Sequence, residues 1–120
     1  MAKFMFILSS PPNPLEQLTP DERQRVAEKF TAWGARIAQS GKKAGGNKLL
    51  DEGGKTVTRK RGKLRVVDGP YSETKEVVGG YLVVNAESYE EAVGLLRDCP
   101  QLDFYRIEVR KVDPMGCSGE

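Results

Sequence analysis

Val77-Val78-Gly79-Gly80-Tyr81-Leu82-Val83-Val84-Asn85-Ala86 decides the fold. From Tyr81 to Val84 the run is apolar at every position instead of every second one, so a strand built from it has both faces covered and sits inside a sheet. Phe4-Met5-Phe6-Ile7-Leu8 reads the same way, as a strand over residues 3–9 stopped by Pro11, Pro12 and Pro14. These two are the expected central strands.

Outward from this run the chain is punctuated clearly. Ser88-Tyr89-Glu90-Glu91 has the spacing of a capping box and opens a helix whose Ala92, Leu95, Leu96 and Cys99 share one face until Pro100. Over 105–112 the pattern alternates, with Tyr105, Ile107 and Val109 on one side and Arg106, Glu108 and Arg110 on the other, as in an edge strand. Upstream, 55–60 and 63–68 carry Thr56, Val57, Thr58, Leu64, Val66 and Val67, good strand formers for a hairpin about Arg61-Gly62. Residues 42–51 read as an extended, glycine-containing segment. Before it, Thr19-Pro20-Asp21-Glu22 supplies a hydroxyl cap, a first-turn proline and a returning Glu for a helix over 20–39, with Val26, Phe30, Trp33 and Ile37 as its buried stripe.

The order predicts an α+β domain with the ferredoxin-like βαββαβ pattern, both helices on one face of an antiparallel sheet. It spans residues 1–113, with 114–120 a flexible tail. Two helices cover one face, yet the central strands are apolar on both, and soluble monomers rarely leave such a patch open. A second copy packed face to face is the expected cover, giving a homodimer with a barrel-like interior. The competing cover is the 42–54 segment folded over the face with the tail.

Composition narrows the chemistry. Among 120 residues, 19 basic side chains oppose 17 acidic ones, so the overall field attracts neither nucleic acid nor anionic lipid strongly. His is absent, which removes the usual neutral-pH proton carrier and a common metal ligand, so no metal and no cofactor are implied. Cys99 and Cys117 have no disulfide-like spacing. The apolar start is too short for a signal core or a membrane span, so a cytoplasmic location is expected. The basic run Arg59-Lys60-Arg61-Gly62-Lys63-Leu64-Arg65 reads as an exposed hairpin tip guarding a strand edge. RNA-recognition domains share the element order but stack bases on sheet aromatics, where this chain has Val78, Leu82 and Val83; no nucleic-acid partner is expected.

The candidate site is Asp68-Gly69-Pro70-Tyr71-Ser72-Glu73-Thr74-Lys75-Glu76, directly before Gly79-Gly80-Tyr81. Asp68 and Glu73 are the candidate acid/base groups, a partly desolvated carboxylate being able to carry a proton. Gly69, Pro70, Tyr71, Lys75, Gly79, Gly80 and Tyr81 are the candidate ligand contacts. Each also has a structural reading. Asp68 can close a turn that Gly69 permits and Pro70 stiffens, Glu73, Lys75 and Glu76 can be a solvated charged turn, and Gly79-Gly80 can mark a bulge or a close backbone approach. Two functions follow: a pocket protein for a small polar ligand, which includes a metal-independent enzyme using carboxylates, or a non-catalytic dimeric regulatory module.

The 68–76 run, Gly79-Gly80-Tyr81-Leu82-Val83-Val84, Glu90-Glu91-Ala92 and Ile107-Glu108-Val109-Arg110-Lys111-Val112 resemble the DGPF-domain branch of the YCII-related proteins. The resemblance implies a dimeric α/β-barrel on a ferredoxin-like fold, and relatives that include fusions to sigma-factor-like regions, which is where the transcription-linked alternative comes from. Tyr71 stands where the family motif has Phe. YCII-type relatives are thought to use a His-Asp pair, and this chain has no His with which to form one.

Overall fold

The computed structural model describes residues 1–50, 52–69 and 76–115. In chain order the elements are β1 (Ala2–Ser10), α1 (Pro20–Gln39), β2 (Lys43–Lys48), β3 (Lys55–Lys60), β4 (Lys63–Asp68), β5 (Val77–Ala86), α2 (Tyr89–Gly94), a 3₁₀ turn (Pro100–Asp103) and β6 (Arg106–Lys111). One four-stranded sheet has the order β2-β5-β1-β6, antiparallel throughout, and β3-β4 forms a separate two-stranded ribbon. This is the ferredoxin-like arrangement, with the two doubly apolar strands at its centre.

Local chemistry explains the helix boundaries. At the start of α1, Thr19 Oγ1 accepts the Glu22 N–H at 3.1 Å while Glu22 Oε1 accepts the Thr19 N–H at 2.8 Å, so two orphan donors are satisfied reciprocally. Trp33 and Ile37 are buried, and Val26 and Phe30 half-buried, on the sheet-facing stripe. At α2, Ser88 Oγ accepts the Glu91 N–H at 3.1 Å, but Glu91 Oε1 accepts from Glu87 N–H instead of completing the box.

The core lies between the helices and one sheet face: Phe4 and Phe6 of β1, Val84 and Ala86 of β5, Trp33 and Ile37 of α1, and Ala92, Leu96 and Cys99. Tyr89 fastens α2 to the sheet, its ring 4.9 Å from Phe4 edge to face and its hydroxyl accepting the Lys111 N–H at 3.1 Å. On the opposite sheet face, Met5 pairs with Val83 and Ile7 with Tyr81, all four half-buried and flanked on β6 by Arg110 and Glu108.

Two elements differ from the sequence expectation. The 42–51 segment supplies the second core strand, β2, and the hairpin stands outside the sheet. Lys43-Ala44-Gly45-Gly46-Asn47-Lys48 contains no strong strand former, so its extension is imposed by pairing with β5, which Gly46 permits at φ +142°. The second helix is α-helical only to Gly94. Beyond it the chain tightens into i→i−3 bonds such as Leu96 N–H to Val93 O at 2.9 Å, which still turn Leu96 and Cys99 inward ahead of Pro100.

Candidate functional site

Where α1 crosses the sheet the two layers do not close. A cavity of about 600 Å³ remains, walled by Phe30, Trp33 and Gly34 of α1, Phe6 and Leu8 of β1, and Leu82 of β5, with Tyr105 and Ile107 completing it. Gly34 explains part of this space. It lies one helical turn from Phe30 on the inward stripe, and a Cβ built there would meet nothing within 4 Å. The polar lining comes from Thr31, Lys43, Asn47, Lys48, Cys99 and Gln101.

Trp33 is 4% exposed, and its indole Nε1 is buried without a hydrogen-bond partner. Cys99 is a free, buried thiol donating to Gln101 Oε1 at 3.2 Å, and burial pushes its pKa up. The aromatic wall is braced by Phe30, whose ring lies 6.1 Å from Phe104 and 6.4 Å from Tyr105. No aspartate or glutamate lines this cavity among the described residues.

Gly79, Gly80 and Tyr81 border the cavity, and each also has a packing role. A Cβ on Gly79 would lie 3.0 Å from Tyr105 Cε1, and one on Gly80 would lie 3.1 Å from Asn47 O of β2. The β1-β5 register shifts here, Leu8 facing Gly80 and Ser9 facing Val78, which is the bulge or close approach that a glycine pair signals. The Tyr81 hydroxyl accepts from Asn47 Nδ2 at 3.1 Å.

Asp68 and Gly69 lie at the foot of the hairpin. Asp68 is 84% exposed at its side chain and ion-paired to Lys55 Nζ across the ladder. Gly69, at φ +71°, donates its N–H to Gly54 O at 2.7 Å, and its carbonyl accepts from Thr56 Oγ1 at 3.2 Å, tying the two ends of the ribbon together. Neither residue borders the large cavity. Pro70, Tyr71, Glu73 and Lys75 lie outside the described residues. Glu76 turns to Arg106, accepting from Nη2 at 2.7 Å and Nε at 3.1 Å, and this hydrogen bond and charge raise the Arg106 pKa.

The sequence reading missed Trp33, Gly34, Phe30, Lys43 and Tyr105 as cavity residues. One signal was present: a glycine on the apolar stripe of a long helix gives up propensity, which makes sense where the missing side chain leaves useful room. Among the described residues no cluster of His, Cys, Asp and Glu could hold a metal ion, and no helix is long and apolar enough to cross a membrane.

No curated protein matches the chain significantly. Among solved structures it is similar to 5-chloro-2-hydroxyhydroquinone dehydrochlorinase from Burkholderia phenoliruptrix AC1100, in complex with 2,5-dihydroxybenzoquinone, at 16% identity and a TM-score of 0.55 over 92% of this chain and 93% of that one. That likeness concerns the fold. The match to the YCII-related domain runs over residues 2–115, nearly the whole sequence, and the chain belongs to the YCII-related family.

Proposed function

We propose that this protein binds a small organic molecule between α1 and the sheet, as a homodimer whose two open sheet faces meet. The observation that carries the reading is the unfilled volume of about 600 Å³ beside Gly34, a size suited to a small ligand. The similar dehydrochlorinase, solved with a dihydroxylated quinone ring, is a relative in fold with an occupant of that size class. Asp68 is better read as a strut of the hairpin foot than as a proton carrier, since it is exposed and engaged with Lys55. Among the described residues, any proton transfer inside the cavity falls to Tyr81, Tyr105, Lys43, Lys48 or Cys99.

Dimerisation is supported by Met5, Ile7, Tyr81 and Val83, an apolar strip across a sheet face opposite the one that the described helices pack on. Val83→Lys places a charge in its middle and is expected to give a folded monomer in sedimentation; a wild-type monomer at high concentration would refute the face-to-face pairing. For the ligand, gently purified protein is denatured and the released small molecules are compared by mass spectrometry with those from Gly34→Leu, whose side chain fills the cavity. A compound present at near-stoichiometric level in the wild type and absent from the variant is expected. Equal recovery from both would overturn the assignment of the site.

A further inference from the structure

We infer that the β3-β4 ribbon is an intersubunit arm, whose apolar side lies against the body of a second copy of this chain and completes the interface that the open sheet faces begin. This rests on the homodimer proposed above. The ribbon is two-sided: Val57 stands directly across from Val66 and Arg59 across from Leu64, so Val57, Leu64 and Val66 share one side while Thr56, Thr58, Lys60, Lys63 and Arg65 share the other. Each of the three apolar side chains is more than half exposed, and none joins the core. With extents of 47 × 43 × 20 Å the molecule is as thick as one helix layer on a twisted sheet, so the arm stretches sideways and does not fold over its own open face. Its radius of gyration, 16.5 Å, exceeds the roughly 14 Å of a compact chain of this length.

Area, continuity and charge name the second copy as the occupant. The strip of Met5, Ile7, Tyr81 and Val83 is half-buried already and leaves on the order of 300 Å² of apolar surface to pair, against the roughly 800 Å² a side that a stable interface buries. The apolar side of the arm adds about as much again. β2 runs into β3 and β4 leads back to β5, so the arm springs from the same sheet whose open face pairs, and a two-fold axis sets each arm beside the other copy. Between Lys55 and Asp68 lie six basic side chains and one acidic, a net +5 in a chain whose total is +2, so everything outside the arm carries −3. Two arms therefore repel each other, and each is drawn to the body of the other copy. A nucleic acid would meet the cations but leave Val57, Leu64 and Val66 in water, so a protein surface suits the arm better.

Hydrogen exchange of peptides covering residues 55–68, followed by mass spectrometry at protein concentrations on both sides of the dimer midpoint, tests this in the wild-type chain. Arm amides are expected to exchange at least about ten-fold more slowly in the dimer, a protection lost in Val83→Lys. Val57→Thr/Leu64→Thr/Val66→Thr keeps strand formers at exposed positions and leaves the subunit folded. In sedimentation equilibrium it should dimerise at least about ten-fold more weakly, and the wild-type dimer should itself weaken in high salt. If the chain dimerises while arm exchange ignores concentration, or the threonine variant dimerises as tightly as the wild type, the arm is refuted and the sheet pairing stands. A wild type that is monomeric throughout refutes both. Protection that appears only when a short DNA duplex is added, and not with rising protein concentration, overturns the second copy in favour of a nucleic acid.

Discussion

Replacing Gly34 by alanine tests the unfilled space directly, without any knowledge of the ligand. Gly34 sits inside α1 with ordinary helical backbone, and its added methyl would meet nothing within 4 Å. Alanine gains about 1 kcal/mol over glycine in a helix interior. With about 2.1 cal/mol/K of unfolding entropy per residue, a chain of 120 residues has roughly 0.25 kcal/mol/K, so Tm should rise by about 4 °C. The assay is thermal unfolding by circular dichroism at one fixed protein concentration, with urea unfolding as a check. A lower Tm would mean that something already occupies the place where the methyl goes, and the cavity argument would fail with it.

Other perturbations separate the structural from the functional residues. Gly46→Ala sets a Cβ 2.6 Å from Tyr81 O and 2.9 Å from Leu82 Cα, backbone that cannot swing aside, at a φ of +142°; a loss of about 3 kcal/mol in urea unfolding is expected. Thr19→Ala removes the α1 cap and should lose about 1 kcal/mol by the same measurement. Glu22 is held below its ordinary pKa of 4.5, first by its hydrogen bond to the Thr19 backbone. Its share of stability is therefore present above pH 4.5 and lost as the pH falls through its folded-state value, so wild type and Glu22→Gln should differ in Tm near neutrality and converge in acid. Asp68→Asn should change stability by less than about 1 kcal/mol, because the Lys55 pair is solvent-exposed. A larger loss in urea, or loss of a co-purifying ligand, would show that Asp68 does more than brace the hairpin foot.

What the sequence disclosed depended on how local the cause was. The α1 boundaries follow from Thr19, Pro20 and Glu22, groups within one turn of each other, and the places of β1 and β5 follow from side chains that must be covered on both faces. β2 could not be read in the same way. Its glycine-rich sequence has no preference for extension, and only the β5 backbone, unknown until the chain folds, makes a strand of it. The cavity is likewise a property of two layers meeting, visible in sequence solely as Gly34 among Phe30, Trp33 and Ile37. Gly79-Gly80 was legible as a close approach because missing side chains leave a trace in composition. The Asp68 to Lys55 pairing was not, since it depends on the register of a ribbon with many exposed charges.

The detached ribbon of β3 and β4 has its own consequence. Arg61 and Gly62 turn it at φ +52° and +78°, almost all of its residues face water, and Val57, Leu64 and Val66 are each more than half exposed. A lone two-stranded arm is marginally stable in water. Its amide protons should trade with solvent well ahead of those in β1 and β5, and a protease should nick the arm first while the four-stranded body survives. Wherever a partner grips that arm, its order would be set by how crowded the solution is with partners, which makes it a built-in gauge of company.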